Sequence, residues 1–273
     1  MLSRAFLLIL TAVATPAAAA PPEAKQSAEP PRQSIVRIVD QIKRADYEGD
    51  RVALQRLHDE LPTSAADKSF ASRVLYWRGF ALWRRAINGF NETPTPTDLE
   101  TDLNAGIADF QNAIAQDSGN VEPKIGAASS LGYLMYLNHK DQARAQELLQ
   151  RVIPLTKELQ AEAADNPRFL WIMGPVRWAT PPERGGGQDK AFELYNRGLE
   201  IVRKPKPQSD PLEPSWGEPE LLMNRAWSNL NRTTPDLKAA AEDAQAALQL
   251  VPYWHYVRDI LIPQIKTAQA KAH

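Results

Sequence analysis

The sequence predicts an all-α protein, a helical-repeat solenoid of antiparallel helix pairs with a C-terminal closing helix. Apolar residues recur at helical spacing from Ser34 onward, and the alternation of Val, Ile and Thr that is typical of strands is largely missing. A spaced pattern of small and large residues also recurs along the chain, as expected of stacked repeats. The chain is 43% hydrophobic and 24% charged, which is typical of a folded protein.

The N-terminus has the three-part layout of a secretory signal peptide. Arg4 precedes the apolar run Ala5–Val13, and small residues follow. This run is much shorter than the ~20 residues that a membrane-spanning helix needs. We therefore predict that residues 1–19 are a signal peptide cleaved before Ala20, and that the protein is periplasmic or secreted. A retained N-terminal anchor is the alternative.

Charge and composition exclude several classes of partner and chemistry. Removal of residues 1–19 takes away one base and no acid, which leaves 31 basic and 33 acidic residues, a net charge of −2. This charge predicts no nucleic-acid partner, and the lack of another long apolar run predicts no membrane insertion. With no cysteine, the chain has no disulfides and no thiolate chemistry. The Pro-rich residues 20–33 predict a flexible tether, and residues 34–273 the folded domain.

Four copies of one pattern predict the second helix of each pair. A small residue is followed by a large one after four positions, by another small one after three more, and by a helix-ending residue after a further five. The copies are Gly106–Phe110–Ala113–Ser118, Ala145–Leu149–Val152, Ala191–Tyr195–Gly198 and Ala240–Ala244–Ala247–Pro252, the second and third of which lack the last position.

A helical segment with a central small residue precedes each copy, and small side chains let two helices approach closely. The central residues are Gly79, Gly132, Gly174 and Ala226. Ile35–Ala45 and Arg51–Leu61 predict an earlier, atypical pair, and Tyr253–Ala270 predicts the closing helix.

On these motifs the chain resembles tetratricopeptide-repeat (TPR) proteins over residues 34–270. The resemblance implies that the first helix of each pair lines a concave surface. Two insertions, Asn88–Thr101 and Arg203–Pro219, lengthen the connections. By layout alone, the chain more distantly resembles the periplasmic T-component of tripartite transporters.

We find no motif for catalysis or for cofactor binding. The glycine run Arg184–Lys190 lacks the preceding strand and the Lys-Ser/Thr ending of a phosphate loop, and it predicts a turn with Gln188 or Asp189 as the next helix cap. The four histidines are far apart and lack helical pairing with Glu. We therefore expect no catalytic residue, no metal and no cofactor.

Aromatic and Arg side chains on the first helices form the candidate binding site. Tyr76 with Trp83, and Trp171 with Trp178, are seven positions apart and share a helix face, provided that Pro175 does not bend the second helix. The full candidate set is Arg73, Tyr76, Trp83, Arg84, Tyr133, Tyr136, Arg168, Trp171, Trp178 and Trp227. The same spacing is typical of packed cores, so an open groove and a filled interior both remain possible.

The sequence favours an exported, non-catalytic adaptor that captures a peptide or an envelope protein in this groove. One alternative is a small-molecule or lipid carrier, which a deep closed cavity would support. The other is an enzyme, which a cluster of strongly shifted ionisable groups in a cleft would support. The oligomeric state is left open.

Overall fold

The computed structural model describes residues 31–272, except residues 64–67, 69, 93 and 206–209. The described residues form eleven α-helices, a short 3-10 turn, a π-helical turn and no strand. The helices are α1 Pro31–Glu48, α2 Arg51–Glu60, α3 Ala71–Gly89, α4 Pro96–Gln116, α5 Val121–Leu137, α6 Gln142–Glu162, α7 Pro167–Ala179, α8 Gln188–Val202, α9 Glu218–Asn231, α10 Leu237–Leu250 and α11 Ile262–Ala272.

Consecutive helices pack as five pairs, from α1–α2 to α9–α10, which confirms the predicted helical-repeat architecture. A π-helical turn, Tyr256–Leu261, continues into α11 and closes the stack, with Val257, Leu261 and Ile265 buried. The chain therefore stacks helix pairs and seals the last pair with an extra helix.

Several boundaries differ from the sequence prediction by a few residues. α1 begins at Pro31, inside the predicted tether, because proline is well suited to the first helical position. α4 begins at Pro96, where Thr95 and Asp98 form a capping box, so the first insertion is shorter than predicted. The predicted signal peptide, and the tether up to residue 30, lie outside the described residues.

The repeated small–large–small pattern is buried in three of its four copies. Phe110, Tyr195 and Ala244, the central residues of those copies, are all in the core. In α6, by contrast, Leu149 is only half-buried and the neighbouring Leu148 takes the core position. The third pair therefore uses a register one residue away from the predicted one.

Two of the predicted small residues permit close helix contacts, whereas a third does not. A Cβ on Gly79 would lie 2.9 Å from the carbonyl oxygen of Gly106, and a Cβ on Gly174 would overlap the Tyr195 ring at 1.9 Å. A Cβ on Gly132 would meet nothing within 4 Å. The close approach of first and second helices therefore depends on Gly79 and Gly174.

We expect Gly174→Ala to lower the free energy of unfolding by about 1–3 kcal/mol, because the Tyr195 ring must move to admit the methyl group. Gly132→Ala is the matched control, and it should raise stability by up to about 1 kcal/mol because alanine favours a helix. Urea unfolding followed by circular dichroism measures both. Equal effects of the two substitutions would contradict the tight α7–α8 contact.

Candidate functional site

The ten candidate residues divide into a buried group and a more exposed group. All lie on α3, α5, α7 and α9, the first helices of their pairs, and we call the face that these helices form the concave side. The buried group is Tyr76, Trp83, Arg84, Arg168 and Trp171. Arg73, Tyr133 and Trp178 are partly buried, and Tyr136 and Trp227 are exposed.

An inserted segment, Asp210–Gly217, covers the buried group. It belongs to the connection between α8 and α9, and its Leu212 and Trp216 side chains are buried. Trp77 Nε1 donates a hydrogen bond to the Leu212 carbonyl oxygen at 2.9 Å, and Trp216 Nε1 donates one to the Tyr76 hydroxyl at 2.9 Å. The chain's own insertion therefore occupies the concave side between α3 and α7.

Ion pairs with arginines of α1 and α3 hold the acidic residues of the inserted segment in place. Arg32 Nη2 donates to Asp210 Oδ1 at 2.6 Å, and Arg73 pairs with Glu213. Burial opposes the charge on Asp210, but the Leu212 backbone N–H and Arg32 outweigh it and lower the pKa of Asp210. The segment is therefore held by both its backbone and its carboxylates.

A buried ion pair, Arg168–Glu122, lies beneath the end of the segment. Arg168 Nε donates to Glu122 Oε2 at 2.6 Å, and Arg168 Nη1 donates to the carbonyl oxygen of Trp216 at 3.1 Å. Asn166 Nδ2 donates to Glu122 Oε1 at 2.7 Å. Both carboxylate oxygens of Glu122 thus have donors, as a buried charge requires.

Arg84 is the centre of a third polar cluster, which joins the first and fifth helix pairs. Arg84 Nε donates a hydrogen bond to Asp46 Oδ2 at 2.8 Å, and Arg84 Nη2 lies 3.9 Å from Glu220 Oε1. The same Glu220 oxygen accepts a hydrogen bond from the Tyr47 hydroxyl at 2.7 Å. Burial raises the pKa of Glu220. Burial alone would lower the pKa of Arg84, but Asp46 and Glu220 raise it. One guanidinium on α3 therefore lies between a carboxylate from α1 and a carboxylate from α9 in the interior.

Aromatic rings surround the Arg84 guanidinium. Its Cζ lies 5.5 to 5.9 Å from the ring centroids of Phe80, Trp83, Trp171 and Trp216. Trp171 and Trp216 pack edge to face, with centroids 5.4 Å apart. These contacts are cation–π and edge-to-face or tilted aromatic packing within one core, so the rings contact Arg84 and one another.

The structure corrects the open-groove interpretation for the five buried residues, which do not line an open groove. Tyr76, Trp83, Arg84, Arg168 and Trp171 form a filled interior in the structure, because the inserted segment packs on them. Sequence reasoning also missed the residues that complete this interior. They are Asp46, Tyr47, Glu122, Leu212, Trp216 and Glu220. The only available signal was a Leu and a Trp isolated in a Pro-rich stretch.

Buried tyrosines make stability sensitive to alkaline pH. Burial raises the pKa of Tyr195 to about 12, above the value of about 10 for an exposed tyrosine. The raised pKa favours the neutral phenol in the folded state. The contribution of Tyr195 to the free energy of unfolding is therefore full below about pH 10 and is lost as pH rises toward 12. The two values differ by roughly 2 pH units, equivalent to roughly 3 kcal/mol.

We therefore expect Tyr195→Phe to reduce the loss of stability between about pH 10 and 12, by up to roughly 3 kcal/mol. Tyr136→Phe is the control, because it removes the same hydroxyl from a side chain that is 68% exposed. Urea unfolding at several pH values gives both profiles. Parallel profiles for the two variants would contradict the burial of the Tyr195 hydroxyl.

The candidates Trp178 and Trp227 form an aromatic edge together with Phe192. The Trp178 ring centroid lies 5.7 Å from that of Trp227 and 6.4 Å from that of Phe192. Arg232 Cζ lies 5.2 Å from the Phe192 centroid. Trp227 is 37% exposed, and Trp178 and Phe192 are partly buried. α7 continues through Pro175 to Ala179, so Trp178 stays on that helix and lies at this surface.

Tyr133 and Tyr136 pack at another place, the end of α3. Their ring centroids lie 5.2 and 5.9 Å from the Phe90 centroid. Burial raises the pKa of Tyr133. Of these two candidates, therefore, only Tyr136 presents most of its surface to solvent.

The glycine run forms a compact turn. Gly185 and Gly187 have φ angles of 79° and 110°, and the Gly187 N–H donates to the Arg177 carbonyl oxygen at 2.9 Å. α8 begins at Gln188 with Gly187 as its N-cap, so the prediction of a Gln188 or Asp189 cap is wrong. Glycine takes this place because its φ lies in the left-handed region.

The described residues contain no group of three or more His, Asp or Glu side chains that could hold a metal ion. None of their helices combines the length and the hydrophobicity needed to cross a membrane.

Comparison with known proteins identifies the fold. No protein-family model matches the chain, and no curated protein matches it. The crystal structure of a thermophilic TPR protein of Thermus thermophilus is similar, with a TM-score of 0.51 and 16% sequence identity. The match covers 87% of this chain and 98% of that one. The chain therefore has a TPR-like helical-repeat fold.

Proposed function

We propose that this protein is an exported, non-catalytic adaptor that binds a protein of the cell envelope through its aromatic edge. The observation that carries the proposal is the contrast between the two groups of candidate residues. The concave side is filled by the inserted segment, whereas Trp178, Phe192 and Trp227 cluster where solvent reaches them. Clustered, partly exposed aromatic residues with an Arg neighbour are typical of the residues that dominate protein recognition.

The two alternatives receive less support from the geometry. A carrier needs an enclosed space for its ligand, and Leu212 and Trp216 fill the concave side. An enzyme needs shifted ionisable groups that a reactant can reach. Glu220 and Arg84 have raised pKa values, but they lie buried beneath the inserted segment and compensate one another. Mutual compensation explains this cluster as part of the core.

The test uses the mature chain, from Ala20 onward, as bait in an envelope extract of the producing cell. A Trp178→Ala, Trp227→Ala variant removes two rings of the aromatic edge, and Tyr136→Ala is a control at another exposed ring. We expect a protein to be retained by the parent and by the control but lost by the double variant. Circular dichroism establishes that all three chains are equally helical.

Mass spectrometry of the retained material decides between the alternatives. A protein that is retained equally by all three chains would refute the aromatic edge as the binding site. A lipid or metabolite that copurifies with the chain, in place of a protein, would favour the carrier. The buried Trp83 and Trp171 are unsuitable targets here, because their loss would disturb the core.

A further inference from the structure

The two ends of the helical stack contact each other. Tyr47, near the end of α1, packs edge to face on Trp254, with ring centroids 5.1 Å apart, and on Tyr253, with centroids 6.3 Å apart. Both partners belong to residues 251–255, which lead from α10 into the π-helical turn and which we call the closing segment. The first helix pair is therefore joined directly to the segment that follows the last pair.

Two further contacts lie beside these rings. Arg44 Cζ lies 4.9 Å from the Tyr253 ring centroid, which is within the range of a cation–π interaction. A Cβ on Gly49 would lie 3.1 Å from His255 Cδ2, so the turn after α1 approaches the closing segment closely. Tyr47 and Trp254 are buried, whereas Arg44 is exposed. The contact thus has a buried aromatic centre and a cation at its border.

A contact between the two ends changes how a repeat stack opens. In a linear solenoid each repeat contacts only its neighbours, so a terminal repeat has a partner on one side alone and unfolds locally with ease. Here α1 packs against α2 and α3 on one side and against the closing segment on another. The first helix therefore has a partner that a linear stack would not provide.

The polar cluster at the same boundary contributes less to this closure than its charges suggest. The Tyr47 hydroxyl donates to Glu220, and Glu220 lies beside Arg84, which pairs with Asp46. Burial of charged groups costs solvation that their mutual attraction offsets only in part, and opening returns water to them. Opening of the aromatic contact has no such compensation, because it exposes apolar surface. Closure therefore depends on the rings.

We propose that Tyr47, Tyr253 and Trp254 form an aromatic clasp that holds the two ends of the stack together. While the clasp is closed, α1 and the closing segment protect each other from local unfolding. When the clasp opens, both ends loosen together, although they lie far apart in the sequence. The clasp is thus a conformational device through which a change at one end of the chain reaches the other.

Hydrogen–deuterium exchange of the mature chain, followed by mass spectrometry, tests the clasp. Trp254→Ala would also empty part of the core, so the main variant is Tyr253→Ala, which keeps the buried Trp254. We expect Tyr253→Ala to speed amide exchange in α1 by at least about fivefold, and to change exchange in α5 and α6 by less than about twofold. The reciprocal variant, Tyr47→Leu, should speed exchange in the closing segment and the π-helical turn.

Two variants serve as matched controls. Tyr253→Phe keeps the ring, and its exchange should match that of the parent. Leu250→Ala removes an apolar side chain that is 49% exposed, next to the closing segment but outside the clasp, and should alter exchange in α1 by less than about twofold.

The proposal is overturned if Tyr253→Ala leaves exchange in α1 at the parent's rate, or if it speeds exchange in α5 and α6 equally. It is also overturned if Tyr47→Leu speeds exchange in α2 but not in the closing segment, or if Leu250→Ala has the same effect on α1 as Tyr253→Ala.

Discussion

Arg84→Met should lower the free energy of unfolding by about 3–5 kcal/mol, although methionine keeps most of the side-chain volume. The substitution leaves Asp46 and Glu220 in the interior without their cation. The loss of one partner of a buried ion pair is costly because the remaining charge has neither water nor a counterion. The pKa of Glu220, already raised by burial, should rise further.

Two variants test this explanation. Arg203→Met removes an exposed pair with Glu218 and should cost at most about 1 kcal/mol. A triple Asp46→Asn, Arg84→Met, Glu220→Gln variant leaves no uncompensated charge and should be more stable than Arg84→Met alone. Urea unfolding measures all of them. A triple variant less stable than the single one would show that the cost of Arg84→Met does not come from unpaired carboxylates.

Trp216→Ala should destabilise the protein by about 3–5 kcal/mol, because it empties the centre of the aromatic core. The indole packs on Phe80, Trp83 and Trp171 and donates to the Tyr76 hydroxyl. Its removal leaves a cavity, and it also frees the end of the inserted segment. Substitutions in connecting segments usually cost much less stability, because most connections contribute little to a core.

Trp227→Ala is the matched control for this prediction, because it removes the same side chain from a partly solvated position on α9. We expect it to cost about 1 kcal/mol. Denaturant unfolding of both variants gives the comparison. Equal losses of stability would mean that the inserted segment does not pack in the interior.

The helices could be predicted from sequence because local rules determine them. Side-chain caps such as Asn120 and Asn166 start helices, and small residues such as Gly79 and Gly174 mark close contacts between helices. These signals act within a few positions of the chain. The exact register of α6 was missed because Leu148 and Leu149 fit a helical pattern equally well.

The interior could not be predicted from sequence, since it depends on contacts between distant residues. Tyr47 contacts Glu220 across 173 positions, and Trp216 contacts Tyr76 across 140. Spacing along α3 places Tyr76 and Trp83 on one face, but it does not say whether solvent or an inserted segment covers that face. Spacing likewise does not say whether Trp178 and Trp227 lie in the interior or at the surface.

Exchange of the tryptophan indole N–H groups with solvent, measured by NMR, tests the filled concave side most directly. The chain has seven tryptophans, and single Trp→Phe variants assign their signals. Slow exchange for Trp83, Trp171 and Trp216, and fast exchange for Trp227, is the result that the structure predicts. Exchange at Trp83 and Trp216 as fast as at Trp227 would show an open groove and contradict the account.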